Sequence, residues 1–266
     1  MWLIVPEQTL TEILTSPFFI AILFFLVALA YSSVGLGGGT SYTALLAIAG
    51  YNALTIPLIS LILNLIVTSV GSYNFIRFRH ASFRLVIPFL VASVPMAYIG
   101  GSLELPKENF YWLLLVALLF VAARIYFWKG VIFRIGAGKY TRVLVSLVSG
   151  SVLGLLAGIT GIGGGIFLVP LIIMLNLGTV KEAAACGAIF IWLNSLAGLV
   201  ARLQYNSIDI LNHVPLIVAV FLGGALGSLM GSSRLSRDAM EKILGLIIIV
   251  AIVFLARKLQ LFQIYG

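Results

Sequence analysis

Two glycine clusters are the parts of this sequence whose residue type and spacing could do chemistry. The first glycine segment is residues 35–39 (GLGGG) and the second glycine segment is residues 161–165 (GIGGG). Each precedes a short apolar run, so its backbone N–H groups are expected to begin a helix, where free donors and the helix dipole favour an anion. Glycine lacks a Cβ and lets an oxyanion approach the backbone closely. The predicted anion-binding residues are Gly37, Gly38, Gly39, Thr40, Gly163, Gly164 and Gly165.

Close packing of helices through small residues is the alternative interpretation of these clusters. Such packing needs spaced glycines, as in Gly223, Gly227 and Gly231, and not three glycines in a row. The spaced set therefore predicts a close contact between helices. The two glycine segments instead predict one binding site formed by two helix N-termini.

Polar side chains within otherwise apolar runs are the next candidates for this site. Asn64 and Asn194 each follow a leucine inside such a run, and a buried amide needs hydrogen-bond partners. We expect both amides to face the anion; the alternative is that they bridge neighbouring helices. Hydroxyl groups near the clusters either bind the anion or bond to their own helix backbone. Those predicted for the site are Ser33 and Thr160, with Ser32, Thr68, Ser69 and Ser195 as further candidates.

The composition indicates which class of protein positions these residues. Of 266 residues, 62% are hydrophobic and 9% are charged, whereas a soluble domain has roughly 25% charged residues. No soluble core could bury so much apolar surface, so the solvent for these side chains is lipid. The net charge of +8 comes from basic residues in short loops between apolar runs, which is typical of cytoplasmic loops and not of a nucleic-acid-binding surface.

Turn and charge signals divide the chain into ten apolar segments, which predicts an all-α polytopic membrane protein. The predicted segments are 17–34, a short one ending at 50, 53–75, 85–101, 110–127, 143–159, a short one ending at 177, 183–203, 214–230 and 243–255. They give a first transmembrane repeat (1–128), a basic cytoplasmic linker (129–142) and a second transmembrane repeat (143–266).

The second half of the chain repeats the landmarks of the first half in the same order. The second glycine segment follows the first by 126 positions, and the Leu63-Asn64 pair recurs as Leu193-Asn194. Five crossings in each half would invert one half relative to the other and would leave most Lys and Arg residues inside. We therefore predict two inverted five-segment repeats, each with a glycine-broken helix near the membrane midplane, as in many secondary transporters. Whether the short segments cross the membrane completely stays open.

Charged residues bear on how an anion would reach the site. Arg77 and Arg202 lie near the ends of two apolar segments and either line an access path or extend to the membrane interface. All 8 Asp and Glu residues lie outside the apolar segments or at their ends, which disfavours proton coupling through a buried carboxylate. Uniport, cation symport through backbone carbonyls and transport of a protonated substrate stay open.

The sequence gives no indication of a metal ion, a cofactor or catalysis. One cysteine, Cys186, and two histidines, His80 and His213, are too few for the usual zinc ligand sets. Ser, Cys, His and Asp side chains do not converge in any apolar segment. The prediction is a protein that is not an enzyme, has no cofactor and binds no nucleic acid.

The motifs at residues 33–39 (SVGLGGG) and 157–165 (AGITGIGGG), with Pro170, Asn64 and Asn194, form a pattern that extends over essentially the whole chain. In these residues the sequence resembles the sulfite exporter TauE/SafE family of membrane proteins. The resemblance implies transport of sulfur oxyanions or small organosulfonates such as sulfite or sulfoacetate, often as export. The halves differ in one respect, because residues 40–44 (TSYTA) stand where the second half has residues 166–170 (IFLVP).

These observations together predict a secondary transporter in the cell (inner) membrane that moves a small anion by alternating access, and the resemblance implies that the anion contains sulfur and is exported. Its expected partners are that anion and the lipid bilayer, while the coupling ion and the oligomeric state stay open. The alternative is a channel-like protein or a uniport carrier for other small organic or inorganic anions.

Overall fold

The computed structural model describes most of the two predicted repeats. The described residues are 17–48, 51, 55–103, 112, 115, 119, 139–205 and 211–236, with positions 238, 239, 242, 243, 246, 249, 252 and 253. Most of the predicted segments 110–127 and 243–255, and of the predicted linker 129–142, therefore lies outside the described residues.

The described residues form eight α-helices and contain no β-strand. The helices are α1 (Pro17–Ser33), α2 (Gly39–Ile48), α3 (Thr55–Arg77), α4 (Phe83–Gly101), α5 (Lys139–Thr160), α6 (Gly165–Met174), α7 (Val180–Leu203) and α8 (Val214–Ser233), with a 3-10 turn at Leu211–His213. Five of them, α3, α4, α5, α7 and α8, are long and apolar enough to cross a membrane. The prediction of an all-helical, multi-pass membrane protein is confirmed.

Two helices begin three or more residues earlier than the sequence predicted. α5 begins at Lys139, inside the predicted linker, and α7 begins at Val180. At α7 the cause is a capping box, in which Glu182 N donates to Thr179 Oγ1 (3.3 Å) and Thr179 N donates to Glu182 Oε2 (2.7 Å). Such reciprocal bonds satisfy donors that a helix N-terminus otherwise leaves free.

The helices of the two predicted repeats pack against each other in matching pairs. α1 packs on α8 and its counterpart α5 packs on α4, while α3 packs on α7. α7 and α3 are the most deeply buried of the five long helices. The centre of the described fold is therefore the α3–α7 pair. Helices α1 and α8 lie beside α3, and helices α4 and α5 lie beside α7.

Rows of glycine make the two outer helix crossings close. Gly223, Gly227 and Gly231 of α8 lie directly against the backbone carbonyl groups of Phe25, Leu29 and Ser33 of α1. Gly150, Gly154 and Gly158 of α5 lie in the same way against Phe89, Ser93 and Ala97 of α4. Spacing by four residues aligns each row along one helix face. The close contact predicted for the first of these rows is confirmed.

Candidate functional site

Each glycine segment lies between two helices. The chain leaves α1 at Ser33 and enters α2 at Gly39, and it leaves α5 at Thr160 and enters α6 at Gly165. Backbone φ is positive at Gly35 (75°), Gly38 (93°), Gly161 (70°), Gly163 (80°) and Gly164 (72°). Residues with a side chain rarely adopt such angles, so these turns need glycine in both halves.

The two glycine segments contact each other. A β-carbon added at Gly39 would lie 2.8 Å from the carbonyl oxygen and 2.9 Å from the Cα of Ile162. The Asn64 side chain also joins the halves, because its Nδ2 donates to the Gly161 carbonyl at 3.4 Å. The backbone at the start of α2 is thus in direct contact with the backbone that precedes α6.

Asn64 lies at this junction with its whole side chain buried. It is 0% exposed, and its amide lies against Gly37 on one side and Gly39 on the other. A β-carbon at Gly39 would be 2.6 Å from Asn64 Nδ2, and one at Gly37 would collide with Asn64 Oδ1. Glycine at both positions therefore makes the room in which this amide lies. Among the described residues, Asn64 Oδ1 has no hydrogen-bond partner.

Asn194 repeats part of this arrangement but not its contacts. It is also 0% exposed, and its Nδ2 donates within its own helix to the Phe190 carbonyl at 2.7 Å. Its Oδ1 has no hydrogen-bond partner in the described part of the chain. Each of the two asparagines therefore has an amide oxygen without a hydrogen-bond partner among the described residues. Of the two, only Asn64 makes a hydrogen bond between the halves.

Ser195 and Ile191 of α7 contact the second glycine segment. A β-carbon at Gly163 would lie 2.6 Å from Ile191 Cγ2 and 3.0 Å from Ser195 Oγ, and one at Gly37 would lie 3.2 Å from Ile191 Cγ2. Ile191 therefore touches both glycine segments, and no feature of the sequence indicated this. Ser195 is 0% exposed, and its Oγ has no hydrogen-bond partner among the residues described. Ser195 was one of the further hydroxyl candidates in the sequence.

The hydroxyl groups predicted for the site are engaged with nearby backbone or side chains. Ser33 Oγ donates to the Ala30 carbonyl at 2.7 Å, and Thr160 Oγ1 accepts from Ile162 N at 3.3 Å. Thr40 Oγ1 lies 3.0 Å from Tyr31 Oη, which also bonds to Ser41 Oγ at 2.8 Å. Ser33 and Thr160 therefore stabilise the helix ends beside the glycine segments, while Thr40 links the end of α1 to the start of α2.

The start of α6 has no capping side chain at its N-cap position, because that residue is Gly164. The Gly164 carbonyl accepts from Phe167 N (3.1 Å) and Leu168 N (3.3 Å), and the residues from Gly165 to Pro170 are buried. In α2 the first-turn bond runs from Tyr42 N to the Gly38 carbonyl at 2.9 Å. The first N–H groups of a helix have no partner within the helix, so both starts present donors in buried surroundings.

The two arginines predicted for an access path occupy different environments. Arg77 is exposed at the end of α3. Arg202 is 9% exposed, and its Nη2 donates to the carbonyls of Ile159 (2.8 Å) and Gly158 (3.2 Å) in the last turn of α5. A cation at a helix C-terminus satisfies free carbonyls and complements the dipole. Arg202 therefore fixes the helix end from which the second glycine segment begins.

Comparison with known proteins agrees with the resemblance in the sequence. The family model described as Sulfite exporter TauE/SafE matches residues 20–255. The chain belongs to this family. The matched region includes both glycine segments, both asparagines and Arg202, so the junction described above lies within the part of the chain that the family model matches.

Curated relatives of this TauE/SafE protein are named as transporters. The chain is 35% identical over 237 residues, covering 87% of its length, to the probable membrane transporter protein y4hK of Sinorhizobium fredii and covers 95% of that protein. A probable membrane transporter protein of Xylella fastidiosa is 28% identical over 232 residues, covering 82% of this chain and 87% of its own length. No solved structure matches. The chain is a multi-pass membrane transporter.

Arg202 gives a prediction about the stability of this TauE/SafE protein. Arg202→Met should lower the free energy of unfolding by about 1–3 kcal/mol, because the Gly158 and Ile159 carbonyls lose a charged donor. Thermal unfolding in a mild detergent measures the change. Arg77→Met is the matched control and should shift stability by less than about 0.5 kcal/mol, since Arg77 is exposed. Equal unfolding midpoints for the two variants would contradict the role given to Arg202.

Proposed function

We propose that this protein is a secondary transporter that moves a small sulfur-containing anion across the inner membrane by alternating access, in the direction of export. The substrate is sulfite or an organosulfonate such as sulfoacetate. The observation on which the proposal rests is the contact between the two glycine segments around the buried Asn64. The sulfur chemistry and the direction come from the family to which the chain belongs.

The helix N-termini that begin at the glycine segments support an anion as the substrate. The starts of α2 and α6 offer backbone N–H donors and the positive ends of two helix dipoles. Among the described residues, the buried polar side chains are hydroxyls, amides and the guanidinium of Arg202, so no buried carboxylate there opposes a negative charge. In our proposal the anion binds Gly37 to Thr40 from one side and Gly163 to Gly165 from the other.

The pairing of helices supports alternating access between inverted repeats. α1 with α8 forms one bundle and α4 with α5 forms another, and each bundle takes one helix from each half. Glycine rows bring the two helices within each bundle into close backbone contact. In the proposal these bundles rock about the α3–α7 pair and expose the site to one side of the membrane at a time. No catalytic step or cofactor is part of this cycle.

A thermal-shift panel on the purified full-length protein in mild detergent tests the proposal. Sulfite, thiosulfate, sulfoacetate, isethionate, sulfate, phosphate and acetate are compared at matched ionic strength. A ligand at about 100 times its Kd should stabilise the protein by about 2.7 kcal/mol. We expect sulfite or a sulfonate to do so and acetate and phosphate not to. Equal shifts with every anion, or none with any, would reject a sulfur-compound substrate.

Two buried asparagines of α3 supply a matched pair of variants for this panel. Asn64 lies at the glycine segments, whereas Asn74 bonds to Ser228 Oγ at 2.8 Å, away from them. Asn64→Leu should remove most of the stabilisation by the anion, and Asn74→Leu should keep it. Counterflow of labelled substrate into preloaded proteoliposomes then separates a carrier, which shows counterflow, from a channel, which does not.

A further inference from the structure

We propose that the transported species is an anion that itself has a hydrogen-bond donor, an O–H or N–H group, and that Asn64 Oδ1 accepts this bond. The inference rests on the proposed function and specifies its substrate. The inference concerns the protonation state and the chemical form of the anion. The helix N-termini indicate only a negative charge, and the family indicates only a sulfur compound.

The orientation of the Asn64 amide is the first step. Its Nδ2 donates to the Gly161 carbonyl at 3.4 Å. Rotating the amide by half a turn would place two carbonyl oxygens against each other, so this contact assigns the nitrogen to Gly161 and the oxygen to the Gly37 side. Asn64 Oδ1 therefore lies beside the first glycine segment as an acceptor.

The second step is that this acceptor is unsatisfied. Asn64 is 0% exposed, and Oδ1 has no hydrogen-bond partner within the described residues. Leaving a buried polar atom without a partner is unfavourable. A ligand that supplies a donor at this place removes that cost, whereas a ligand with only acceptor oxygens adds repulsion between two acceptors.

The third step follows from the surrounding donors. Backbone N–H groups at the starts of α2 and α6 favour the oxyanion part of a ligand, and Asn64 Oδ1 favours its donor. Hydrogen sulfite has both parts on one small anion, as does a sulfonate with a hydroxyl or ammonium group. Sulfate, thiosulfate, the sulfite dianion and ionised sulfoacetate have no donor, so the inference narrows the sulfonates of the proposed function to those with a hydroxyl or ammonium group. For sulfite, the site then selects the protonated monoanion, and the proton crosses the membrane on the substrate.

This inference also explains how a proton could cross with the substrate without a buried carboxylate. The buried polar side chains there are hydroxyls, amides and one guanidinium, with no carboxylate among them. A proton that remains on the substrate needs no such carboxylate. Ser195, whose buried Oγ lies at the second glycine segment, is a second group that can accept from or donate to the same ligand.

Two near-isosteric sulfonates test the inference on the purified full-length protein. Isethionate has a terminal hydroxyl where propane-1-sulfonate has a methyl group. Binding measured by isothermal titration calorimetry should favour isethionate by roughly tenfold or more, because propane-1-sulfonate leaves Asn64 Oδ1 unpaired. In Asn64→Leu the preference should fall to near one, while Asn74→Leu should keep it. The wild-type comparison alone decides the matter if Asn64→Leu does not fold.

The remaining outcomes separate this inference from the proposed function. Equal affinity of the wild-type protein for both sulfonates overturns the donor requirement and leaves a sulfonate transporter. Affinity for both that depends on Na⁺, and is lost when choline replaces it, overturns the inference in favour of a cation at Asn64 Oδ1. If neither sulfonate nor sulfite binds, the proposed function fails and the inference fails with it.

Discussion

Replacing Gly39 by alanine should weaken anion binding by roughly 10- to 100-fold while the protein stays folded. The added β-carbon would lie 2.8 Å and 2.9 Å from the carbonyl oxygen and Cα of Ile162. These are backbone atoms of the second glycine segment and cannot rotate away. The two glycine segments must therefore move apart, and the Asn64 amide, 2.6 Å from the same β-carbon, moves with them.

The backbone of Gly39 itself is not the reason for this effect. Positive φ angles occur at Gly35, Gly38, Gly161, Gly163 and Gly164, and Gly39 is not among them. Alanine at position 39 therefore tests the contact between the halves without backbone strain. Leucine at Gly38 or Gly164 would combine a ligand effect with strain, because φ is 93° and 72° there.

Two further alanine variants calibrate the measurement. Gly71→Ala in α3 places its β-carbon 3.7 Å from Ala188 Cβ, an ordinary contact, and should bind the anion like the wild type. Gly37→Ala would overlap Asn64 Oδ1, the proposed acceptor for the ligand, so it should also weaken binding. Isothermal titration with the strongest ligand of the anion panel gives the three affinities. Wild-type affinity in Gly39→Ala would remove the junction from the site.

Gly154→Val should cause the largest loss of stability among changes outside the site. A β-carbon at Gly154 would overlap the backbone of Ser93 in α4, and Gly150 and Gly158 on either side would resist any shift of the helix. Overpacking of this kind reduces stability by about 1–3 kcal/mol, which lowers the unfolding midpoint by roughly 2–12 °C. Thermal unfolding in mild detergent measures the midpoint.

Gly198→Ala is the matched control for this crossing. Its β-carbon would meet only atoms at 3.7 Å or farther, from Gly158 and Leu61, and alanine favours a helix over glycine by about 1 kcal/mol. The control should therefore keep or raise the midpoint. A midpoint for Gly154→Val equal to that of Gly198→Ala would show that α4 and α5 do not cross as closely as the structure has them.

The class of protein, its helical character and its family could be predicted from the sequence because these properties are local. Apolar runs of membrane-spanning length indicate that these segments fold in lipid. Glycines that need positive φ, as at Gly38 and Gly164, mark the turn at their own position whatever surrounds it. The order of glycine segment, asparagine and later landmarks was likewise readable without contacts. Substrate, direction and the inverted orientation of the repeats stay predictions.

Only the tertiary structure decided what the polar side chains contact. Asn64 and Asn194 occupy equivalent positions in the sequence, yet of the two only Asn64 bonds to the other half. In the second half, the side chains of Ile191 and Ser195 contact Gly163, and the Asn194 side chain does not take that place. Arg202 reaches carbonyl groups that precede it by 44 and 43 positions. Such partners are brought together by helix packing. The residue type at one position does not indicate which distant backbone group will lie beside it.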